Sequence, residues 1–392
     1  MKIALIRSAV HRTGGVERYV WLLAREMARR GHEVSLLARR CPELPDPSVR
    51  FHRIQARGPF SFLKVLSFAR GVRALLREEE FDVVHSCDRI FDCDIYRAGE
   101  GLHREWLSVS KRYLSPLKAA LRWFDPLHHL LCRIEKRLIK DGGARRVTAI
   151  GQKGAEEIHR HFGRENIPVI YNGVDPDEFR PPEEGEREAI RGRLGVPREA
   201  FMVLFVGSGY FRKGLRFLIE AFSRLGDAGP GTPWLVVAGK GTMGPYCRLA
   251  RSLEVNRRTL FCGAIGPAGE IYRAADVFVF PTLYEPFGNV CLEALASGLP
   301  CVFSSRCGGA EIVTDGENGL VLDDPADVHE MSRQIRTCMD EKRAAAMGQA
   351  ARELALRFSI SANTDATEAL YREIVSEKTA ETFRPLAVTK IP

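Results

Sequence analysis

Short apolar runs alternate with amphipathic stretches along the chain, which is the pattern of repeated βαβ units. The first run, residues 3–6, ends at Arg7, and apolar positions three or four apart within residues 16–27 then indicate a helix. After Gly31 the chain returns to an apolar run at residues 34–38. This order of strand, turn, helix and strand predicts a parallel sheet with right-handed crossovers.

Further strand candidates form two series, separated by residues 175–188, a segment rich in proline and acid that is the best linker candidate. The candidates are residues 49–54, 83–85, 95–98, 147–150 and 168–171 in the first series and 202–206, 234–238, 260–261, 277–280, 301–303 and 320–322 in the second. We therefore predict two doubly wound α/β domains, residues 1–175 and 176–358. A C-terminal helix over residues 359–376, returning to the first domain, and a loose tail over residues 377–392 are expected to follow.

The two predicted halves differ in charge. The 392 residues include 58 Lys and Arg against 50 Asp and Glu, a net charge of +8. Residues 1–175 hold 32 basic and 21 acidic residues, or +11, while the remainder holds 26 and 29, or −3. Two bodies with different partners are therefore expected. The 45% hydrophobic and 28% charged content excludes collagen-like, low-complexity and largely disordered proteins.

The sequence also suggests a cellular compartment. No apolar segment is long enough for a signal-peptide core or a membrane span. Ten cysteines are scattered without paired C-x-x-C elements, and Cys262, Cys291 and Cys301 lie in apolar runs, where a thiol behaves as a small hydrophobe. We interpret them as core cysteines of a cytoplasmic protein.

The most specific chemical signal is a pair of carboxylates, Glu285 and Glu293, around the start of a helix predicted over residues 289–296. Glu285 follows an apolar run and should lie at the carboxyl edge of a sheet, where open α/β sheets bind ligands. The free amides of Asn289 and Val290 would form an anion site. This set suits a nucleotide sugar, with carboxylates for sugar and ribose hydroxyls and amides for the diphosphate. Two solvated surface glutamates are the alternative that the spacing alone leaves open.

Cations for a diphosphate follow another predicted strand. Arg212 and Lys213 come after the run at residues 202–206 and before a helix. Arginine grips phosphate through two hydrogen bonds, and lysine adds a point charge. A diphosphate leaving group needs such neutralisation because negative charge builds on it as the glycosidic bond breaks. Alone, the pair would fit an exposed basic turn equally well.

Two glycine pairs after predicted strands allow a ligand to approach the backbone closely. Gly14 and Gly15 precede the first helix, although they lack the G-x-G-x-x-G spacing of a dinucleotide site. Gly239, Lys240 and Gly241 lie after a later strand, where they suit a flat base or a phosphate. Each pair alone would be compatible with an ordinary turn.

Together these motifs resemble the retaining family 4 glycosyltransferases, whose GT-B fold consists of two Rossmann-like doubly wound domains facing a central cleft. The resemblance runs in order from residue 1 to about residue 375. It rests on Gly14-Gly15-Val-Glu-Arg, Arg212-Lys213-Gly214, Val-Val-Ala-Gly239-Lys-Gly241, Ala-Ala-Asp276-Val-Phe-Val-Phe-Pro281 and the segment from Glu285 through Glu293 to Pro300. Within the family, the segments from Tyr210 to Gly214 and from Asp94 to Glu100 look most like the enzymes that add the first glucose to lipopolysaccharide inner-core heptose.

The resemblance implies roles for individual residues. Arg212 and Lys213 would bind the diphosphate, and Gly15 would approach the phosphates from the other domain. Glu293 would bind the ribose and Glu285 the donor sugar. The implied reaction is a retaining transfer in which the phosphate of the donor takes the acceptor proton, so the carboxylate spacing rules of glycosidases do not apply.

Family members commonly place a histidine at the end of an N-domain strand, facing the donor sugar. Here that strand end reads Ala98-Gly-Glu100-Gly-Leu-His103, with Glu100 nearest the expected position and His103 three residues later. We take Glu100 as the catalytic-site residue and hold His103 in reserve, as a catalytic or acceptor-binding residue. Asp92-Cys-Asp94 matches the D-x-D motif that holds a metal in other glycosyltransferases, but the motif arises often by chance and we expect no metal.

Residues 103–140 combine positive charge with aromatic and apolar side chains. They hold nine Lys and Arg against three acids, and the apolar residues at 114, 117, 121 and 124 would form a helical stripe. Such a segment resembles an interfacial helix on anionic lipid. The residues that we assign to this contact are Trp106, Lys111, Arg112, Lys118, Arg122 and Trp123. A core-packed helix with a basic face is the main alternative, and a nucleic-acid site lacks any accompanying module.

We therefore predict a cytoplasmic hexosyltransferase, peripherally associated with the inner face of the cytoplasmic membrane, with no cofactor beyond its donor and no nucleic-acid partner. The acidic half would bind UDP-glucose, and the basic half a lipid-linked saccharide, the heptose of the lipopolysaccharide inner core. Other family 4 hexosyl- or N-acetylhexosaminyltransferases and sugar-nucleotide epimerases of the same fold are alternatives. A non-enzymatic protein that binds anionic lipid would have little reason to keep both the cation pair and the paired glutamates.

Overall fold

The chain forms two parallel six-stranded sheets in a computed structural model that describes residues 1–226, 231–264, 266 and 268–382, except for the side chains of Trp123 and Thr382. The first sheet comprises β1 (Lys2–Ile6), β2 (Glu33–Ala38), β3 (Arg50–Arg53), β4 (Val83–Ser86), β5 (Cys93–Arg97) and β6 (Ala144–Thr148). The second comprises β7 (Phe201–Val206), β8 (Pro233–Ala238), β9 (Thr259–Gly263), β10 (Val277–Phe280), β11 (Cys301–Ser304) and β12 (Leu320–Leu322).

Helices connect and flank both sheets. Those of the first half are α1 (Val16–Arg29), α2 (Ser61–Glu78), α3 (His103–Lys111), α4 (Pro116–Trp123), α5 (Pro126–Ile139) and α6 (Gln152–Phe162). Those of the second half are α7 (Glu186–Leu194), α8 (Leu215–Phe222), α9 (Gly244–Ser252), α10 (Ala268–Ala274), α11 (Asn289–Ala296), α12 (Val328–Thr337), α13 (Glu341–Ala355) and α14 (Ile360–Thr382), with short 3₁₀ helices at Asn256–Arg258 and Gly308–Ile312. Among the helices of the described residues, none combines the length and the apolar character needed to cross a bilayer.

The strand order determines where ligands meet the two sheets. The orders are β3-β2-β1-β4-β5-β6 and β9-β8-β7-β10-β11-β12, and neighbouring strands are parallel. In a doubly wound sheet, ligands bind in the crevice at the carboxyl edge where the strand order reverses. That point lies between β1 and β4 in the first sheet and between β7 and β10 in the second. The prediction of two doubly wound α/β domains is confirmed.

The apolar runs predicted almost all of the strands because their residues are buried on both faces. In β7, for example, Met202 to Phe205 are fully buried, which requires a continuous apolar run rather than an alternating one. The exception is the run at residues 168–171, which forms only a single bridge between Ala149 and Val169. Pro168 lacks an amide to donate, and the chain leaves the sheet edge soon afterwards.

The C-terminal helix α14 packs on the first half of the molecule. Leu370, Tyr371 and Ile374 lie in the same apolar core as the residues of α1 and β1. The helix runs to Thr382, so residues 377–382 are helical rather than part of a loose tail, while residues 383–392 lie outside the described residues. Ion pairs account for the extension, because Lys378 binds Asp94 at 2.7 Å and further glutamates of the last turns pair with arginines of β6.

Candidate active site

The loops after β7 and β10 bring three predicted residues together. Glu285 is buried, and its carboxylate forms an ion pair with the Nζ atom of Lys213. Nη2 of Arg212 lies 3.5 Å from the same carboxylate oxygen. Gly214, with φ of 71°, permits this arrangement, because a side chain there would overlap the carbonyl of Pro281. Two cations and one carboxylate therefore face one point at the carboxyl edge of the second sheet.

Helix α11 begins at Asn289, as the sequence predicted, directly after Gly288 with φ of 84°. The amides of Asn289 and Val290 belong to the first turn of the helix, whose N–H groups have no acceptor within the helix itself. The side chain of Asn289 crosses to the first half, where Nδ2 donates to the carbonyl of Gly15 at 3.3 Å, and its Oδ1 accepts from Asn172. The predicted anion site and the glycine pair thus lie on opposite sides of one cleft.

Glu293 lies one turn into α11 and faces inward. Its carboxylate accepts a hydrogen bond of 2.7 Å from the hydroxyl of Tyr272. Burial raises the pKa of Glu293, and the charge of Arg18 on α1 opposes that shift. Arg18 itself is fixed by two contacts of its guanidinium with the carboxylate of Glu178. One carboxylate oxygen of Glu293 is therefore held by Tyr272, next to a cation from the other half.

Glu100 follows β5 and is held by two arginines. Nη2 of Arg7 lies 2.7 Å from Oε1, and Nη1 of Arg89 lies 2.9 Å from Oε2. The side chain of Glu100 is 40% exposed, and desolvation by the surrounding protein acts to raise its pKa, but the two guanidinium charges lower it to about 2. Across the cleft, burial lowers the pKa of Arg212, and the charge of the Glu100 carboxylate acts in the opposite direction. Glu100 is thus an ionised, oriented group near the predicted phosphate-binding cations.

His103 is the first residue of α3 and binds within its own half. Its Nε2 lies 2.8 Å from Nδ1 of His128 on α5. Burial, together with the positive charges of Arg89, His128 and Arg122, lowers the pKa of His103 to about 4. The ring is therefore neutral at neutral pH and engaged with another imidazole, and the charge of Glu100 acts on it in the direction opposite to burial.

The second glycine pair is required by backbone packing. Gly239 follows β8 with φ of 122°, and a side chain there would overlap the carbonyl of Gly207. A side chain at Gly241 would come 2.6 Å from the ring of Tyr210, whose hydroxyl donates to the carbonyl of Gly239. Lys240 between them is exposed. This loop therefore lies directly against the one that carries Arg212 and Lys213.

The D-x-D motif has cationic side chains as partners. Asp92 forms ion pairs with Arg73 and Arg137, and Asp94 is bound by Lys378 at 2.7 Å and by the amide of Val84 at 2.8 Å. Both carboxylates thus help to hold helices against the first sheet.

Several residues that organise the site were not predicted. Arg7 and Arg89 orient Glu100, and Arg18 faces Glu293. Asn172 links β5 to α11, and Tyr284 crosses the cleft beside Glu285. Among these, only Arg7 carries a visible signal, a charged residue at the end of a buried strand. The others act through partners more than ten residues away in sequence, which no local pattern reveals.

The segment expected at the membrane divides into two parts. The ring of Trp106 lies near Tyr284, Phe211 and the guanidinium of Arg122, with ring-centroid distances of 6.3 and 6.2 Å to the two aromatic rings. Trp106 is therefore an interdomain residue in this structure rather than a lipid-facing one, and Arg122 is engaged with it and with Ser110. The Trp123 side chain lies outside the described residues.

The second part is α4 and its flanks, which face solvent. Leu117, Leu121 and Phe124 are 71%, 63% and 77% exposed and recur at helical spacing, so they form one apolar stripe. Lys111, Arg112 and Lys118, also assigned to the membrane, are exposed on and around this helix. The alternative of a core-packed helix does not fit this stripe.

Comparisons with known proteins agree with the fold. Residues 13–178 match the family described as Glycosyltransferase Family 4, and residues 186–354 match Glycosyl transferases group 1. The chain is 30% identical to the D-inositol 3-phosphate glycosyltransferase of Mycolicibacterium smegmatis, over 95% of this chain and 89% of that protein. It is 24% identical to the lipopolysaccharide glucosyltransferase WaaG of Escherichia coli K12, over 84% and 87% of the two chains.

Solved structures show the same architecture. The crystal structure of WaaG, described as a glycosyltransferase of lipopolysaccharide biosynthesis, superposes with a TM-score of 0.82 at 21% identity, covering 94% of this chain and 99% of that one. Anabaena HepE in complex with UDP-glucose gives a TM-score of 0.73 at 20% identity, covering 94% and 99%. The GT-B expectation is confirmed, and the chain belongs to the family 4 glycosyltransferases.

Proposed function

We propose that this enzyme transfers glucose from UDP-glucose, with retention of configuration, to a lipid-linked saccharide, the heptose of the lipopolysaccharide inner core. The observation that carries the proposal is the meeting of Arg212, Lys213 and Glu285 at the edge of the second sheet, opposite Glu100. The similarity to WaaG, named as a lipopolysaccharide glucosyltransferase, supports a lipopolysaccharide acceptor, and that to HepE, solved with UDP-glucose, supports the donor.

The donor would span the edge of the second sheet. The diphosphate binds the cations Arg212 and Lys213 and the first amides of α11, which together offset its charge as it leaves. When the diphosphate binds Lys213, the ion pair between Lys213 and Glu285 opens, and Glu285 accepts hydrogen bonds from the hydroxyls of the sugar. Glu293 binds the ribose through the oxygen that Tyr272 does not hold.

The low pKa of Glu100 constrains its part in the reaction. A carboxylate whose pKa is about 2 is a poor general base at neutral pH, because an efficient base has a pKa near the working pH. The acceptor proton therefore passes to the phosphate oxygen of the donor as the glycosidic bond breaks on the same face. Glu100 instead orients the sugar and places negative charge near the cation that develops at its anomeric carbon.

A smaller phosphorylated acceptor is the second candidate. The M. smegmatis relative, 30% identical over most of both chains, is named for D-inositol 3-phosphate. The same donor site would serve either acceptor. The exposed stripe on α4 favours the lipid-linked acceptor, since a soluble polyol phosphate needs no membrane contact.

Membrane association would place the enzyme beside such an acceptor. Leu117, Leu121 and Phe124 insert into the interface of the inner leaflet of the cytoplasmic membrane, while Lys111, Arg112 and Lys118 approach anionic headgroups. This arrangement accounts for the concentration of positive charge in residues 103–140.

The decisive experiment measures nucleotide release from a panel of nucleotide sugars. The protein is incubated with each donor alone, with lipopolysaccharide core ending in heptose, and with D-inositol 3-phosphate. We expect release of UDP from UDP-glucose that depends on the heptose acceptor, with an α-linked product from the α-linked donor. Turnover only with the inositol phosphate would select the second candidate, and consumption of donor without any acceptor would point to an epimerase or hydrolase.

A further inference from the structure

Tyr284, the residue before Glu285, connects the two halves of the molecule through its hydroxyl. The hydroxyl accepts a hydrogen bond of 3.0 Å from the amide of Leu102 and donates one of 2.8 Å to Oε2 of Glu157. Leu102 lies two residues after Glu100, and Glu157 lies on α6. One hydroxyl group therefore joins the Glu285 loop to the Glu100 loop and to a helix of the first half.

The packing around Tyr284 allows little freedom. Its ring lies beside that of Trp106, with centroids 6.3 Å apart and planes at 19°. Gly101, with φ of 71°, leaves room for the hydroxyl, because a side chain there would overlap it. Tyr284, Leu102 and Glu157 are 2%, 1% and 4% exposed, so neither partner has ready access to water as a replacement. Removing the hydroxyl would leave a buried amide and a buried carboxyl group each lacking this partner.

We propose that Tyr284 is a positioning residue for the transfer reaction, whose hydroxyl holds the Glu285 loop against the Glu100 loop when the two halves close. The inference rests on the proposed function, which places both carboxylates at the donor sugar. In this proposal Tyr284 does not contact the substrate. It acts through the alignment of two loops, and reactions of bound groups lose much of their rate when such alignment is lost.

The surroundings of Glu157 make the contact between Tyr284 and Glu157 dependent on pH. Burial raises the pKa of Glu157 to about 7, and the hydrogen bond from Tyr284 acts in the opposite direction. The other charged groups that act on it are Glu105 on α3 and, on its own helix, Lys153 and Arg160.

These neighbours are themselves engaged. Glu105 is paired with His161 at 2.6 Å and Arg160 at 3.0 Å. Lys153 reaches across to the carbonyl of Ser305 at 3.0 Å. When the halves separate, the Glu157 carboxyl regains solvent and its ordinary, lower pKa. Closure therefore takes up a proton and becomes less favourable as the pH rises from about 4.3 towards 7.

The test compares Tyr284→Phe with Tyr371→Phe and Glu157→Gln in the full-length protein. Tyr371→Phe is the matched control, because it also removes a buried tyrosine hydroxyl. That hydroxyl lies 2.6 Å from Nδ1 of His85 in the core of the first half and, among the described residues, makes no hydrogen bond to the Glu285 loop. Glu157→Gln retains an acceptor for Tyr284 but cannot titrate. Thermal melting shows whether each variant is folded.

Two readouts separate positioning from general stability. Hydrogen exchange of the peptide that contains Leu102 is followed in saturating UDP, and kcat and KM for UDP-glucose are measured between pH 5 and 8. For Tyr284→Phe we expect about tenfold faster exchange and at least a tenfold lower kcat, with KM changed less than about threefold. Glu157→Gln should keep kcat within about threefold of the unmodified enzyme and flatten the pH dependence, and Tyr371→Phe should change neither readout.

Unchanged exchange at Leu102 in Tyr284→Phe, or a loss of kcat no larger than that of Tyr371→Phe, would overturn the inference. These outcomes are distinct from failure of the proposed function. If the unmodified enzyme released UDP from no donor, the proposed function would fail, while the exchange comparison in UDP would still decide whether the hydroxyl holds the two loops together.

Discussion

Nη2 of Arg7 lies 2.7 Å from Oε1 of Glu100, and this ion pair orients a carboxylate at the carboxyl edge of the first sheet. The same buried guanidinium contacts Glu17 at 2.7 Å and Asp88 at 3.3 Å. Arg89 holds only the other oxygen of Glu100. One cation at the end of β1 thus organises carboxylates from three separate segments, and the ionisation of Glu100 depends on it.

Arg7→Gln should therefore make transfer sensitive to acid. With Arg89 left as the ion-pair partner of Glu100 among the described residues, the pKa of Glu100 rises from about 2. A carboxylate with a lowered pKa is ionised above that pKa and loses its charge as the pH falls through it, so the loss begins at a higher pH in the variant. UDP release measured from pH 4 to 8 should show an acid limb that begins at a higher pH in the variant than in the unmodified enzyme.

The same substitution should destabilise the protein, because it leaves Asp88 and Glu17 without their buried cation. We expect the free energy of unfolding to fall by about 3 kcal/mol. Arg12→Gln is the matched control, since Arg12 is 61% exposed and pairs with an exposed Glu43. If Arg7→Gln kept the same pH profile as Arg12→Gln, Glu100 would have no part in the reaction.

Lys213→Ala should abolish most of the transfer while the protein stays folded. Lys213 contacts Glu285 and lies 4.8 Å from the centre of the Phe280 ring, at the point where the diphosphate is proposed to bind. Removing one such charge-stabilising group lowers kcat by about 10²–10³-fold. Steady-state UDP release and circular dichroism would check turnover and folding.

Arg216→Ala is the control for Lys213→Ala, because Arg216 is 69% exposed on α8 and pairs only at the surface with Glu220. A folded Lys213→Ala variant that turned over as fast as Arg216→Ala would refute the assignment of the phosphate site.

The fold and the strand-end residues were predictable because parallel sheets impose a local pattern. Strands buried on both faces read as short apolar runs, and each run is followed by the loop that reaches the ligand. Lys213 and Glu285 were found in this way, although they are 72 positions apart in the sequence, because each follows its own strand. The helix at Asn289–Ala296 was predicted with its bounds, since Gly288 and Gly298 flank it.

Contacts between distant segments could not be predicted. The separation between Arg7 and Glu100 is 93 residues and that between Tyr284 and Glu157 is 127 residues. Neither pair shares an element, so no local pattern shows that the two partners of each pair meet. For the same reason Trp106 was expected at the membrane. A tryptophan within a basic and apolar segment is typical of a lipid interface, and only the packed structure reveals Tyr284 and Phe211 beside it.

Gly214→Ala should damage the phosphate-binding loop specifically. A side chain at this position overlaps the carbonyl of Pro281, and the φ of 71° is unfavourable for any residue with a Cβ atom. We expect a loss of at least about 1 kcal/mol in unfolding free energy and a large loss of turnover, since Lys213 must move. Gly192→Ala, in the last turn of α7 with open space around it, should instead stabilise the protein by about 0.5–1 kcal/mol. Equal effects of the two substitutions on activity would contradict this reasoning.

The exposed stripe of α4 makes membrane binding testable. Leu117, Leu121 and Phe124 are more than half exposed, and burying a side chain of this size in an apolar interface contributes about 1.5–3 kcal/mol. Replacing all three with serine should therefore weaken binding to vesicles containing phosphatidylglycerol by at least about tenfold per side chain. Cosedimentation measures the affinity, and binding of the unmodified protein to neutral vesicles should be much weaker.

Phe60→Ser is the control for the triple variant, because Phe60 is also 61% exposed but lies before α2 rather than on the stripe. Turnover of a soluble acceptor fragment should be unchanged in the triple variant, while turnover of the same acceptor embedded in vesicles should fall together with binding. If vesicle binding fell equally in Phe60→Ser, or ignored lipid charge, α4 would not be the membrane contact. If binding fell but vesicle turnover did not, the acceptor would reach the cleft from solution.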